Sequence, residues 1–600
     1  MASLPRSFKV ELGVVAVLAC TVAITWCMAF DKWTVSQWQQ PLAYIENAEK
    51  SDVIYTFATL KAGARGQFIP FVWKSVPELG APNGANWNDW PIIEEFQLAF
   101  FGWLARLFGV FAGLNVAMLL GNVLAAMSMY AVARICDCSR LWSFVAGFAF
   151  GLAPFIFAQS PHHITCEWVW QVPLFLLVWR WVFTEHGIAW RSPRFWQAIA
   201  IGFLSGLQNP YFTNILCQLT LIGGAIQYLR TKSRSALASA AAVVVAAAIA
   251  FALMSVDTWT YRAVHGSNPG ALVREYKWLE IYGLKIKDLF IPPVTHHSQS
   301  LAAFSTAHRQ VAPLLDEGAS YQGLVGLACL LWLVITSVRA MIDRRERDVP
   351  MEVWWVLWIV LMFTTGGLNA IVGAFGFTIF RGGCRYSIVI LAITLLWAAR
   401  RITSFEQAID SQSDVQHRGA HRMLFRVVAG MLCLLIVWDQ VPRTPSAEES
   451  TTIARLVDAD RAFTEKMEAA LPEGAMVFQL PIMDYPESPA PGVPPYDHFR
   501  PYLYSKSLRY SFGSMKGRPA EAWQKELERL PSLEQIIAEL KKRGFAAIYI
   551  NRNGFPDRAK GIEDKLLEMG YIKPPIRNAT GDLSCVILDG DGGRPGSDTP

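Results

Sequence analysis

Long apolar runs alternate with short polar turns along most of the chain, from near its start to about residue 441. A helix needs roughly 20 apolar residues to cross a bilayer, and most of these runs reach or approach that length. The first run, residues 10–30, is longer than the apolar core of a cleaved signal peptide, so we expect a retained membrane helix. The runs predict about eleven spans, at residues 10–30, 111–133, 141–158, 167–183, 195–208, 212–229, 236–256, 320–338, 351–366, 383–399 and 423–441.

Basic residues are concentrated in the turns on one side of this predicted bundle. Lys and Arg favour the cytoplasmic side, and Arg6 and Lys9 therefore place the N-terminus inside the cell. The expected localisation is the cytoplasmic (inner) membrane, multi-pass, with the C-terminal domain outside, in the periplasm. The turns with clustered Lys and Arg are 134–140, 184–194, 230–235, 339–348 and 400–422.

The segment 31–96 is too polar to cross a bilayer, yet it is rich in Trp, Phe, Tyr and Pro. Ordering such a large external loop costs entropy that packing must offset, so we expect a site there; the alternative is a loop that only covers helix ends. Residues 97–110 predict an interfacial helix, with Arg106 extended toward the headgroups. The carboxylates of the loop are Asp52, Glu78, Asp89, Glu94 and Glu95.

The chain changes character after residue 442, where membrane-type runs end. The predicted fold class is an α-helical polytopic membrane protein with a small C-terminal α/β domain, which we expect to fold by itself as residues 450–590. The predicted parts are a membrane domain 1–442, a Pro- and Ser-containing linker 443–451, an external α/β domain 452–590 and a disordered tail 591–600. The predicted strands are 475–480, 545–550 and 583–588, and the predicted helices are 532–543 and 557–569.

The composition fits a membrane protein and excludes other classes. Residues are 53% hydrophobic and 17% charged, below the charged fraction of about 25% in soluble proteins. The net charge is +5, without a basic stripe or a zinc-ligand spacing, so no nucleic-acid partner is predicted. The ten cysteines are scattered, and Cys136 and Cys138 lack a second ligand pair, which favours free thiols over a metal site.

Arg381 and Arg385, in FRGGCRYS, lie at the predicted outer end of a span. Their i, i+4 spacing would place both on one helix face, and Gly382 and Gly383 would let a headgroup approach the backbone. Two guanidiniums suit the phosphate or pyrophosphate of a lipid; the alternative is that they only extend to the interface.

Two other polar clusters fall on the same predicted side, where they would converge if the spans bundle. His162 and His163 belong to SPHHITCE, and Asn209 and Tyr211 belong to QNPYFTN. Adjacent histidines do not match the usual spacing of metal ligands, and a polar surface turn is the alternative role for them.

Several stretches resemble the GT-C superfamily of integral membrane glycosyltransferases, which use polyprenyl-phosphate sugars. The stretches are SDVIYTFATLKAG, ELGAPNG, APFIFAQSPHH and TIFRGGCRYSIVILA, and the similarity of layout, to bacterial members, covers about residues 1–440. Many members carry two adjacent acidic residues in the first external loop, whereas this chain has Ser51 and Asp52, with Glu49 shortly before.

The resemblance implies transfer of a sugar from a polyprenyl-phosphate donor to a glycan, lipid or protein acceptor on the outer face of the membrane. Asp52 would be the general base on the acceptor hydroxyl, and Arg381 and Arg385 would hold the donor phosphate. The alternative role of Asp52 is to cap the helix predicted to follow it, in VIYTFATLKAG. No cofactor and no metal ligand is assigned, and dependence on a divalent metal is left open. The implied secondary contacts are His162, His163, Asn209, Tyr211 and Asp89.

Two other functions stay open at this level. A transporter or flippase of lipid-linked sugars would need polar residues at mid-membrane depth, for which Asn122 and Gln218 are the candidates. A non-enzymatic scaffold that presents the external domain would tolerate alanine at Asp52, His163 and Arg385.

Overall fold

The computed structural model is mainly helical and describes residues 6–45, 52–89, 94–183, 188–412 and 415–588. Glu49, Ser51 and the tail 591–600 lie outside the described residues. The chain forms two compact units. The membrane unit comprises Met1–Thr34, Val116–Leu253 and Arg274–Pro445, and the α/β unit comprises Val35–Asn115, Met254–Val273 and Ser446–Pro600.

Every predicted span coincides with a helix, and the chain is a multi-pass membrane protein. Within the described residues, 8 helices are long and apolar enough to cross a membrane. Three predicted spans are helices of 12, 14 and 13 residues, or about 18–21 Å, shorter than a bilayer core of about 30 Å. The span helices are Arg6–Phe30, Val110–Ile135, Arg140–Gly151 followed by Pro154–Gln159, Val172–Phe183, Pro193–Gly206, Pro210–Thr231, Arg234–Leu253, Gly323–Ile342, Met351–Phe363, Ser387–Gln412 and Val415–Gln440.

Small residues let the helices of the membrane unit approach closely. A Cβ added to Gly202 would lie 2.6 Å from the carbonyl oxygen of Val243, and one added to Gly206 would lie 2.3 Å from that of Ala247. Close backbone approach of this kind drives helix association in lipid, where no hydrophobic effect separates the helices from their surroundings. The shorter elements of the unit are Ile164–Glu167, Lys277–Ile281, Ile286–Leu289, Gln299–Val311, Glu346–Asp348, Leu368–Ala374 and Gly383–Tyr386.

The α/β unit contains a five-stranded mixed sheet with the order β4-β3-β5-β7-β6. The central strand β5 pairs parallel with β3 and antiparallel with β7, and both of its faces are largely buried. The predicted strands are confirmed as β3, β5 and β7. The strands are β1 Ser75–Val76, β2 Ala85–Asn86, β3 Met476–Leu480, β4 Arg509–Tyr510, β5 Phe545–Asn551, β6 Ile576–Arg577 and β7 Leu583–Ile587.

Some helices of the α/β unit begin at capping residues. The Ser532 side chain accepts the N–H of Gln535, so the predicted helix 532–543 is present as Leu533–Lys542. Ser446 and Glu449 form a capping box. The helix that follows this capping box, Ala447–Ala470, begins inside the stretch 443–451, which we predicted from the sequence to be a linker. The helices are Val35–Trp38, Asp52–Ala64, Glu95–Phe108, Val256–His265, Ala447–Ala470, Asp497–Phe499, Arg500–Tyr504, Pro519–Glu528, Leu533–Lys542, Arg552–Gly554 and Lys560–Glu568.

The first loop is built into the α/β unit by main-chain hydrogen bonds. The N–H groups of Gly80 and Ala81 donate to the carbonyls of Phe512 and Tyr510, each at 2.9 Å. The Trp87 indole donates to the Gly513 carbonyl at 3.0 Å. Because residues 446–588 share these bonds with the loop, independent folding of residues 450–590 stays a prediction.

Candidate functional site

Arg385 forms an ion pair with Glu317 just before the span helix Ser387–Gln412. Its Nε donates to the two carboxylate oxygens at 3.1 and 3.0 Å, and its Nη2 donates to Oε1 at 2.6 Å. The side chains are only 12% and 15% exposed. This two-point pairing fixes the plane of the guanidinium. Among the described residues nothing accepts a hydrogen bond from Nη1, so one edge of the guanidinium is available.

Tyr211 supports the same guanidinium from one face. The Arg385 Cζ lies 4.7 Å from the centroid of the Tyr211 ring. The Tyr211 hydroxyl accepts the N–H of Gly382 at 3.2 Å, which ties the ring to the arginine-bearing segment. Asn209 caps the helix Pro210–Thr231 by accepting the Tyr211 N–H at 3.1 Å. The structure therefore brings Tyr211 and Arg385 together, and Asn209 contributes by starting the Tyr211 helix.

The prediction that Arg381 and Arg385 share one helix face is wrong. Gly383–Tyr386 is a 3-10 turn, and the α-helix begins only at Ser387. The i, i+4 rule applies to an α-helix, and residue 381 precedes both elements.

Gly382 and Gly383 serve packing in this structure. A Cβ on Gly382 would lie 3.0 Å from Arg385 Nε, and a Cβ on Gly383 would lie 2.4 Å from the Phe363 carbonyl oxygen. Their missing side chains make room for the arginine and for a neighbouring backbone.

Arg381 lies against aromatic rings. Its Cζ is 5.7 Å from the ring centroid of Trp278 and 5.5 Å from that of Tyr282. Cation–π contacts of this kind hold a guanidinium in place without neutralising its charge. These two rings therefore orient the Arg381 guanidinium in the segment that also carries Arg385.

Exposed apolar side chains precede Arg381 in the sequence. Phe375 is 88% exposed, Phe377 47% and Ile379 54%. In a membrane protein such side chains face lipid or a lipid ligand, since water would penalise a contiguous apolar patch. Arg381 thus follows directly on an exposed apolar segment.

His163 connects to the ion pair through Gln159. The His163 N–H donates to the Gln159 carbonyl at 2.8 Å, and Gln159 Nε2 donates to Glu317 Oε2 at 3.0 Å. Burial alone would raise the pKa of Glu317, but Arg385, His163 and Gln159 outweigh it and lower this pKa to about 2. Glu317 is therefore ionised at neutral pH. His162 lies beside His163 in the same turn.

Asp89 lies in the α/β unit, where its carboxylate accepts three hydrogen bonds from neighbouring side chains. Arg518 donates from Nε and Nη2 to its two oxygens at 2.6 and 2.7 Å, and Asn268 donates at 3.1 Å. Asp89 is 1% exposed. These contacts give Asp89 a structural role in the unit, and its secondary contact to substrate stays a prediction.

Asp52 also lies in the α/β unit, as the first residue of the helix Asp52–Ala64. It is half-buried, and in the same unit the rings of Tyr55 and Tyr496 contact each other at a centroid distance of 5.0 Å. Burial raises the pKa of Tyr496 well above its usual value, and the Asp52 charge raises it further. An acidic residue in the first helical turn is also favoured by the helix dipole, so both predicted roles of Asp52 remain.

The sequence reasoning left Glu317, Trp278 and Tyr282 out of the site. An acidic partner for Arg385 could have been predicted from the sequence, because an arginine in an apolar environment needs a counter-ion, and Glu317 is that partner. The aromatic partners of Arg381 carried no such signal.

Within the described residues no group of three His, Cys, Asp or Glu side chains is placed to hold a metal ion, and we assign no step to one.

The spans, the mixed sheet and the arginine cluster define a multi-pass helical membrane protein with an α/β unit. No family model and no curated protein matches the chain. Among solved structures, the chain is similar to ArnT from Cupriavidus metallidurans bound to undecaprenyl phosphate. That match has a TM-score of 0.45 and 12% identity, over 97% of this chain and 99% of that chain.

Two further solved structures match the chain with lower TM-scores. The Archaeoglobus fulgidus oligosaccharyltransferase matches with a TM-score of 0.40 and 12% identity, over 89% of this chain and 68% of that chain. The arabinofuranosyltransferase AftD from Mycobacteria matches with a TM-score of 0.37 and 14% identity, over 92% of this chain and 37% of that chain. We base the proposed function on this chain's own residues and not on these likenesses.

Proposed function

We propose that this chain is a GT-C-type membrane glycosyltransferase that transfers a sugar from a polyprenyl-phosphate donor to a glycan, lipid or protein acceptor. The observation that carries the proposal is the pair of arginines that follows an exposed apolar segment in the membrane unit. An amphiphile with an anionic head and a long hydrocarbon chain matches both features. A polyprenyl phosphate has this chemistry.

The phosphate of the donor binds at Arg385 and Arg381. Arg385 offers the unused Nη1 edge of a guanidinium that Glu317 and Tyr211 already hold in one plane. Preorganised donors of this kind stabilise negative charge without reorganisation during reaction. Arg381, which the rings of Trp278 and Tyr282 hold in place, is the second arginine that contacts the phosphate.

The hydrocarbon chain of the donor lies along Phe375, Phe377 and Ile379. These exposed side chains lie within six residues of Arg381, close enough in the chain for one ligand to contact both. Burying apolar surface contributes roughly 25 cal/mol per Å². The lipid tail thus adds affinity that a soluble phosphate lacks.

The transfer reaction needs one base and stabilisation of the leaving phosphate. The acceptor hydroxyl oxygen forms a bond to the anomeric carbon of the sugar while the bond from that carbon to the phosphate oxygen breaks. The hydroxyl proton passes to Asp52, which we propose as the base. The electron pair of the broken bond remains on the polyprenyl phosphate, where Arg381 and Arg385 stabilise it.

The mid-membrane polar residues favour this reaction over transport. Gln218 donates to Asn214 at 3.1 Å and accepts from the Trp358 indole at 2.9 Å. Asn122 donates to the Gly151 carbonyl at 2.6 Å. These partners satisfy the Gln218 amide and the Asn122 nitrogen within the helix bundle, as expected for structural polar groups in a membrane, whereas the buried Asn122 Oδ1 has no partner among the described residues.

The proposal is tested by release of polyprenyl phosphate, because this product does not depend on the identity of the acceptor. The full chain is placed in vesicles with a panel of polyprenyl-phosphate sugars and a membrane extract as acceptor source. We expect release with one donor, and loss of release in Arg381→Gln and Arg385→Gln. Lys287→Gln, the same charge change at a side chain that is 44% exposed, is the control. Equal release in all variants would remove the arginines from the reaction.

A further inference from the structure

A groove opens between two span helices at the end opposite to Arg385. Its volume is about 600 Å³, within the usual range of ligand sites. It runs between Gly323–Ile342 and Ser387–Gln412, both in the membrane unit. Arg401 lies 14 residues after Ser387, which places it about 21 Å further along the helix axis. The groove is lined by Trp332, Thr336, Arg401, Ile402, Ser404 and Phe405.

The deeper wall of the groove is apolar and aromatic. The rings of Trp332 and Trp397 meet edge to face at a centroid distance of 4.9 Å. Trp332 is 40% exposed and Phe405 is 61% exposed. Both helices are long and apolar enough to cross a membrane, and Trp332 lies within the predicted span 320–338, so its exposed face meets lipid chains rather than water.

Arg401 is the charged group of the groove. Its Cζ lies 5.9 Å from the Trp397 ring centroid, and among the described residues no carboxylate pairs with it. The preceding residue differs, because Arg400 Nη1 binds Glu352 Oε1 at 3.2 Å. Arg401 is exposed, so the phosphate of a lipid can reach it and form a charge-assisted contact.

The order of groups along the helix matches a lipid. Trp397 precedes Arg401 by one helical turn, so an apolar wall and a cation are about 6 Å apart along the axis. A free phosphate would leave the aromatic wall unused, and a zwitterionic lipid would bring its own cation to Arg401.

We infer that this groove binds one anionic phospholipid, with the phosphate at Arg401 and an acyl chain against Trp332. The site is separate from the arginine pair of the proposed reaction and does not depend on that reaction. Its ligand is a membrane lipid rather than the glycosyl donor.

The test uses the full chain in nanodiscs of phosphatidylcholine with increasing phosphatidylglycerol, and native mass spectrometry counts the retained lipids. We expect one retained phosphatidylglycerol per chain, with an apparent affinity roughly fivefold weaker in Arg401→Gln. Arg401→Lys should keep most of the affinity. Arg347→Gln is the matched control, since it removes one arginine from the same end of the unit and lies outside the groove.

Three results would overturn the inference. They are equal affinity in Arg401→Gln and Arg347→Gln, equal retention of phosphatidylcholine and phosphatidylglycerol, and displacement of the retained lipid by inorganic phosphate alone. If Arg401→Gln fails to fold, Thr336→Trp, which fills the groove, takes its place. Undiminished retention in that variant would equally contradict the site.

Discussion

The ion pair of Glu317 and Arg385 gives the most quantitative prediction. Glu317→Gln keeps the shape of the side chain and removes its charge. Arg385 then loses the partner of three hydrogen bonds at 2.6–3.1 Å. Removing one member of a fully buried ion pair costs about 3–5 kcal/mol, because the remaining charge is left uncompensated.

The lowered pKa of Glu317 gives an independent value for the stability that the ion pair contributes. This pKa falls from 4.5 to about 2 in the folded chain, which corresponds to about 3 kcal/mol of stabilisation. Both side chains keep some exposure, at 12% and 15%. Water and the remaining amide recover part of the loss, so we expect about 2–3 kcal/mol for Glu317→Gln.

The assay is thermal unfolding of the purified chain in detergent, as a function of pH. A lowered carboxylate pKa stabilises the fold above about pH 4.5, and this contribution is lost as the pH falls toward 2. Glu317→Gln should therefore melt several degrees lower than wild type at neutral pH and approach it on acidification. Glu275→Gln is the control, because its ion pair with Lys277 is exposed. If Glu317→Gln melted like Glu275→Gln, the pair would not hold Arg385 as described.

Three further outcomes are expected. Asp52→Asn should reduce polyprenyl-phosphate release on the order of 100-fold or more with unchanged melting if Asp52 is the base, whereas a purely capping Asp52 would leave release intact. Glu468→Gln should lower the melting temperature of the chain, because Glu468 accepts hydrogen bonds from the Ser505 hydroxyl at 2.6 Å and from the N–H groups of residues 506–508; an unchanged melting curve would contradict this. A fragment of residues 450–590 should be less resistant to proteolysis than one that also supplies residues 52–115, and equal resistance would show that the bonds of Gly80 and Ala81 are dispensable.

The spans were predictable because the bilayer imposes a length and a composition on each helix separately. Pro193–Gly206 illustrates this, since its position followed from a local apolar run. The strands β3, β5 and β7 were predictable for the same reason, as short apolar runs between polar turns. Such features depend on neighbours in the sequence.

The partners of distant segments were not predictable in this way. Glu317 and Arg385 are 68 residues apart, and Ala81 bonds to Tyr510 across more than 400 residues. The helix expected through Arg381 fails because Gly383 packs against the Phe363 backbone, a contact that periodicity does not encode. A single sequence gives the residue types of such contacts but not which of them meet.

Binding of undecaprenyl phosphate to the purified chain tests the central claim most directly. The measurement compares wild type, the double variant Arg381→Gln/Arg385→Gln and the control Lys287→Gln in nanodiscs, with inorganic phosphate as competitor. We expect wild type and Lys287→Gln to bind alike, and the double variant to bind at least tenfold more weakly, since each charge-assisted contact contributes about 1.5–3 kcal/mol. Equal binding by all three proteins would contradict the assignment of the donor phosphate to Arg381 and Arg385.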